Sequence, residues 1–503
     1  MSLPWWAVIL LLVFGFTATW AAIPWAQKWA PQYGLVAPPG GRRNHAQDTP
    51  LTGGWALFLP LAVTFLFLFA LAVGGKLKIP RADWLRMLSL FLGTTWILIL
   101  GTIDDRVIIS WKRKLLGQVL GGVIVIVGGH SISVVTIPWV GPVDFGWYGL
   151  PFFLLAVITI TNAINLIDGL DGLAGGICFF AALTSAVIAL VKRDPVTAIL
   201  GFTLSGSLLG FLRFNFPPAT IFLGDGGSMM LGFLLGTQAV SSAAFFPGQR
   251  LGTSIMILAP FLPLGIPLFE VALSVARRWL SGQAIFMGDG NHLHHRLLGK
   301  FKAARPTVAI FYFFTASLCT LTLLMVLEVR SPLIRLCTAL LTLVLMLAVT
   351  WSLRLYGDRS LFLTLRNRPH FKFLGEFLRF MKMRVSRAKS GADLLGLLES
   401  GVRDLDFDRV EVVHKGRAVR KWINPQPVHP ESPRLASEES FNGWDLKISW
   451  AQPLHGDDGY NEYLLLTWRR FLAAVKAGLP PHAPELSAWA NAGPEAIDGQ
   501  APE

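Results

Sequence analysis

Long charge-free apolar runs recur along this chain, and they constrain its fold more than any motif does. About 20 helical residues, rising 1.5 Å each, cross the roughly 30 Å hydrocarbon core of a bilayer. Backbone N–H and C=O groups find no partner in hydrocarbon, so each such run must be helical. About eleven spans are expected on this criterion, at 4–23, 54–75, 87–103, 115–129, 148–161, 173–191, 195–212, 227–246, 251–270, 306–327 and 336–353. The composition agrees, with 53% hydrophobic and 15% charged residues and a mean hydropathy of +0.53. The expected fold is an all-α polytopic membrane protein. The first run lacks a basic stretch before it and a small-residue cleavage site, so it reads as a helix rather than a signal peptide.

Cys178, Cys319 and Cys337 all fall inside expected spans, where they act as small apolar side chains rather than a disulfide or metal set. The net charge of +13 is accounted for by Lys and Arg flanking the membrane. No basic, aromatic-interleaved motif in the loops points to nucleic acid, so none is expected as a partner.

With eleven spans, alternate loops share a side. The set 24–53, 104–114, 162–172, 213–226 and 271–305 carries more Lys and Arg than the opposite set. The positive-inside bias then puts this set in the cytoplasm, with the N-terminus outside and the C-terminal region inside. Every prominent polar cluster falls in this set, which predicts one shared site at the cytoplasmic surface.

The central stretch, Asn162–Asp171, places Asn162, Asn165, Asp168 and Asp171 at three-residue intervals between two apolar runs. Carboxylates at a bilayer edge need partners, a metal or water, although Asp-Gly pairs are also ordinary turn chemistry. Asp104-Asp105 closes the third span and suits a divalent cation or a general base; a solvated helix end beside Arg106 is the alternative. Phe222-Leu-Gly-Asp225-Gly-Gly-Ser228 sets a glycine-flanked acid before a span, fit to hold Mg²⁺ with phosphate oxygens or to cap the next helix. Gly288–Arg296 gathers His292, His294 and His295 beside Arg296, which suits diphosphate binding better than a transition metal. Together these groups suggest phosphoryl chemistry at a membrane surface, where positioning and charge neutralisation carry most of the catalysis.

Asp104-Asp105, Asn162-x-x-Asn165-x-x-Asp168-Gly-x-Asp171-Gly, Asn215 with Phe222-x-Gly-Asp225-x-Gly-Ser, and Asn291-His-Leu-His-His-Arg-Leu-Leu298 occur in order over about residues 1–355. This pattern resembles the polyprenyl-phosphate N-acetylhexosamine-1-phosphate transferases. The resemblance implies transfer of a sugar 1-phosphate from a UDP-sugar to polyprenyl phosphate, releasing UMP, with Mg²⁺ (or Mn²⁺ in its place), at the inner membrane and with a homodimer as one option. It implies catalytic roles for Asp104, Asp105, Asp168, His292, His294 and His295, with Asp225 as the main Mg²⁺ ligand and Asp104 and Asp105 sharing the metal. It gives Asn165, Asp168 and Asp171, with Asn162, the nucleotide-sugar site. Asn215 and Phe222 would hold uracil, Phe222 by stacking; Lys112 and Lys114 would contact polyprenyl phosphate; and Arg296 would bind substrate. The family's early Pro-x-Pro-Arg-x-Gly-Gly element is partly kept as Thr49–Gly54, with Leu51 at the Arg position. The His-Leu-His-His form is similar to the branch that uses UDP-N-acetylglucosamine; a muramyl-peptide donor is the alternative. Direct attack by the lipid phosphate on the sugar-linked phosphorus is expected, with a two-step route through an aspartyl intermediate as the alternative. A transporter, the rival from another class, would place its acids near mid-membrane in related halves, and no internal repeat is seen.

Residues 1–355 are expected to form the membrane core, 356–480 a small cytoplasmic α/β extension, and 481–503 a disordered tail. Phe371–Lys389 interleaves basic residues with Phe, Leu and Met, the makeup of a helix lying on an anionic leaflet or of a plain solvated helix. Strand-like runs are read at Val410–Val413 and Trp444–Trp450, and a helix at Asn461–Gly478.

Overall fold

The computed structural model describes residues 3–38, 48–74, 81–107, 109–132, 134–137, 141–243, 259–280, 301–327 and 376–387, isolated residues between 293 and 400, and four strands between 409 and 451. The chain divides into two units, residues 1–274 with 288–355 and residues 275–287 with 356–503.

The first unit is helical: α1 (Trp5–Trp29), α2 (Gly53–Val73), α3 (Arg81–Val107), α4 (Trp111–Val127), α5 (Gly149–Ile167), α6 (Leu173–Val191), α7 (Pro195–Asn215), α8 (Gly224–Ala243), α9 (Gly265–Leu280, whose last turns pass into the second unit) and α10 (Ala304–Leu327). Among the described residues, seven helices (α1, α2, α3, α5, α6, α7 and α10) are long and apolar enough to cross a bilayer. The protein is therefore a multi-pass membrane protein. The expected fourth and eighth spans are the helices α4 and α8, which fall outside that set. At 17 residues, opening on Lys-Arg-Lys, α4 is short as well as charged, and the Gly-Asp-Gly-Gly-Ser at the start of α8 dilutes its apolar character.

The expected ninth span, 251–270, is corrected in its described part. Leu262–Leu264 is a short 3-10 turn and the α-helix begins only at Gly265, because Pro260 and Pro263 lack the N–H that a continuous helix needs. The eleventh span lies outside the described residues except for isolated positions.

Buried and exposed faces follow the membrane environment. Phe153, Phe211, Phe222 and Phe233 are fully buried, whereas Leu66 and Phe67 of α2 are about three-fifths exposed, as lipid-facing side chains are. Close helix packing uses small residues. A side chain on Gly206 or Gly210 of α7 would run into the carbonyls of Leu12 and Phe16 on α1. Start signals are local: Asp194 accepts from the Thr197 N–H at 3.1 Å, capping α7, with Pro195 at its first position.

The all-α expectation needs one amendment, since two small antiparallel ribbons interrupt the helices. The first pairs β1 (Val36–Ala37) with β2 (Thr49–Pro50), and the second pairs β3 (Val134–Ile137) with β4 (Gly141–Asp144).

The second unit holds a four-stranded antiparallel sheet of β5 (Arg409–His414), β6 (Arg417–Ile423), β7 (Arg434–Phe441) and β8 (Trp444–Ala451), in the order β6-β5-β8-β7. The two strand-like runs read from sequence are the central pair, β5 and β8. The edge strands β6 and β7 are rich in Arg, Lys and Glu, a composition that edges tolerate and that hides them from hydropathy reading. The expected helix at 461–478 and the tail at 481–503 lie outside the described residues.

Candidate active site

The site forms where the start of α8 meets the ends of α3 and α5 and the start of α4. Glycines make this approach close. A Cβ on Gly54 of α2 would lie within van der Waals overlap of Gly227, and one on Gly101 of α3 would lie 2.5 Å from the Asp225 carbonyl oxygen. Gly224 precedes Asp225 with φ +71°, and a Cβ there would also meet Leu51 O at 2.5 Å and Asp105 Oδ2 at 2.6 Å. Only glycine satisfies both the backbone and the space. The early element is braided onto the same corner, with Gly53 N–H donating to Phe222 O at 2.9 Å and Phe222 N–H to Pro50 O at 2.8 Å.

Lys114 is the hub. Its Nζ lies 2.8 Å from Asp104 Oδ2, pairs with Asp225 Oδ2, and reaches Asn165 Oδ1 at 3.4 Å. Asn165 Nδ2 donates to Asp225 Oδ1 and to Ser228 Oγ, both at 2.9 Å. Asp104 Oδ1 accepts from the Ile109 N–H at 2.7 Å. Burial opposes charge on both Lys114 and Asp225. It is outweighed by the charge of Asp225, which holds the Lys114 ammonium above the usual lysine range. The Lys114 charge and the hydrogen bonds to Asp104, Lys114 and Asn165 likewise hold the Asp225 carboxyl below the usual carboxylate range. Both groups lie outside the seven candidate spans.

Asp105 points the other way. Its two oxygens accept from the backbone N–H groups of Asp225 at 2.8 Å and Gly226 at 3.1 Å, so it caps α8 from a neighbouring helix. Asn162 pairs reciprocally with Gln118 of α4, at 2.8 and 3.2 Å. Asp171, 8% exposed, accepts from the Ala219 N–H. Asn215, 2% exposed, accepts from Gly172 N–H at 3.0 Å and donates to Ile221 O at 2.7 Å. The Phe222 ring is 1% exposed and is part of the core. Asp168 ends α5, half-buried. Lys112 lies exposed over the Trp111 ring.

The structure thus joins Asp104, Lys114, Asn165 and Asp225 into one cluster. Around it, Asn162, Asp171 and Asn215 make tying hydrogen bonds and Phe222 packs in the core. His292, His294, His295 and Arg296 lie outside the described residues. Leu293 among them is described, and its N–H donates to the buried Glu270 at 3.0 Å.

Sequence reading gave no role to four residues of the structure. Gln118 lies one helical turn after Lys114, a spacing that puts both on one face. Ser228 closes the glycine-rich loop. Glu270 is a lone acid in an apolar run. Tyr312 donates its hydroxyl to Gly172 O at 2.6 Å and carried no signal.

Residues 87–243, which contain this whole cluster, match the sequence profile of Glycosyl transferase family 4. A protein of Bacillus subtilis named probable undecaprenyl-phosphate N-acetylglucosaminyl 1-phosphate transferase is 31% identical over 61% of this chain and 81% of its own length. The decaprenyl-phosphate N-acetylglucosaminephosphotransferase of Mycolicibacterium smegmatis is 31% identical over 60% of this chain and 79% of its own. The phospho-N-acetylmuramoyl-pentapeptide-transferase of Halalkalibacterium halodurans is 31% identical over 58% and 90%. A one-sided carboxylate and lysine cluster at the end of a helical membrane bundle, held inside the matched segment, goes with these likenesses: this chain belongs to glycosyl transferase family 4.

Proposed function

We infer that this protein transfers N-acetylglucosamine 1-phosphate, or a related N-acetylhexosamine 1-phosphate, from a UDP-sugar to polyprenyl phosphate and releases UMP. The observation that carries the reading is the convergence of Asp104 and Asp225 on Lys114, inside the segment matched to the family. An oxygen of the lipid phosphate attacks the sugar-linked phosphorus, the bond to the bridging oxygen breaks, and UMP leaves. Lys114 supplies a positive charge for phosphate oxygens, and Asn165 holds Asp225 in place.

The carboxylates fit Mg²⁺. Two hard oxygen donors already converge on one cationic point, and Mg²⁺ is ordinarily bound through one or two carboxylates plus substrate phosphates. Asp225 and Asp104 would hold the ion, with Lys114 yielding part of its position. When bound, it would neutralise charge on the diphosphate.

The excess of Lys and Arg on one set of loops supports an inner-membrane orientation with the N-terminus outside and the cluster facing the cytoplasm. A count of eleven crossings belongs to the same reading. Magnesium-dependent release of UMP from UDP-N-acetylglucosamine, in membranes supplied with polyprenyl phosphate, is the test. Release only from a UDP-muramyl-peptide would move the chain to the other branch, and no release from either donor would overturn the reading.

A further inference from the structure

The helix at 376–385 of the second unit has two faces of different character. Phe377, Met381 and Val385, spaced four residues apart, are 7%, 1% and 8% exposed. They form one stripe and are packed inside the protein. The apolar stripe that suggests a membrane-lying helix from sequence is therefore already used.

The opposite face is the unusual one. Arg379, Lys382, Arg384 and Arg387 are all exposed, and among the described residues none of them forms an ion pair. Between them Phe380 is 51% exposed and Met383 is 45% exposed, with the Arg384 guanidinium 5.8 Å from the Phe380 ring centroid. A solvated helix gains nothing from exposing a phenylalanine and a methionine among four cations. A surface that meets phosphate headgroups and the first carbons of acyl chains gains from both.

We propose that this outward face is a docking surface for anionic lipid headgroups. The four cations bind lipid phosphates, and Phe380 and Met383 dip into the interface between them. Charge complementarity argues for this occupant, and so does the covalent link to a membrane-embedded unit. That link keeps a bilayer at high effective concentration, so weak individual contacts suffice. The surface lies outside the Asp104–Lys114–Asp225 cluster and gives the appended unit a role of its own.

The test uses the full-length protein in nanodiscs of phosphatidylcholine alone or with phosphatidylglycerol. A Met383→Cys substitution in a Cys337→Ser background carries an environment-sensitive fluorophore; Cys178 and Cys319 are buried and do not compete for it. Phosphatidylglycerol should protect the label from aqueous iodide by about twofold or more and expose it to spin-labelled lipid, and high salt should reverse both effects. The combined Arg379→Gln, Lys382→Gln, Arg384→Gln and Arg387→Gln variant should lose the protection while keeping UMP release. The salt reversal on the unmodified charges reads the same interaction should the variant fail to fold. Equal accessibility in both lipids would overturn the proposal. So would protection that appears only on adding RNA or an acidic peptide, with phosphatidylglycerol having no effect.

Discussion

Asp105 holds the backbone N–H groups of Asp225 and Gly226 in the first turn of α8, one on each carboxylate oxygen, at 2.8 and 3.1 Å. An acid on α3 therefore sets the position of the acid that opens α8. Adjacent in sequence, Asp104 and Asp105 divide the work, with the first facing Lys114 and the second capping a helix.

Replacing Asp105 separates these roles. Asp105→Ala leaves two N–H groups without an acceptor and should lower stability by about 1–2 kcal/mol, the ordinary cost of a lost cap. Asp105→Asn keeps one carbonyl acceptor and should recover more than half of that loss. Thermal unfolding in detergent, run alongside UMP release, checks this; equal stability of the Asn and Ala variants would remove the capping role.

Asp225→Asn should abolish turnover while leaving folded protein in the membrane, since the amide keeps the shape but forfeits the charge that pairs with Lys114. Lys114→Met should lower the rate by roughly 10²–10³-fold, the range found when one preorganised group facing developing charge is deleted. Near-wild-type UMP release from either variant would contradict the assignment of the cluster.

Asn215 spans two loops, and its removal should read as a folding defect. Asn215→Ala leaves the Gly172 N–H and the Ile221 carbonyl buried without their partner, at about 1–3 kcal/mol each. Tyr312→Phe, which deletes the hydroxyl on the Gly172 carbonyl, should cost about 1 kcal/mol. Both variants should lower the unfolding temperature in proportion to any loss of activity. A raised KM for the UDP-sugar at unchanged stability would instead mark Asn215 as a nucleotide contact.

Lys192 gives the pH dependence. Burial pushes its ammonium down from the usual 10.5 to about 8, against a smaller opposing pull from Asp194. Its Nζ donates to Ser242 O at 3.1 Å. Between about 8 and 10.5 the unfolded chain binds the proton that the folded protein gives up, so stability rises with pH across that window. Unfolding temperature measured from pH 7 to 10 should show this rise, and Lys192→Met should flatten it.

The sequence by itself determined the membrane class, because the length of an apolar run and the absence of water decide that it must be a helix. It also carried the family likeness and the gathering of acids and amides at span ends on one set of loops, since residue type and spacing are local properties. Loop chemistry was legible at Gly224 and Gly172, where a turn requires a positive φ. Which polar residues meet was decided only by the tertiary structure. Asn162 and Asn165 sit one turn apart on α5, yet one pairs with Gln118 and the other holds Asp225. Asn215 and Asp171 stand in the same motifs, and the backbone groups they tie lie on other segments of the fold. These choices depend on how closely α3, α4, α5 and α8 approach, set by glycine contacts between residues more than a hundred positions apart, such as Gly101 and Asp225. No periodicity along one chain segment contains that distance.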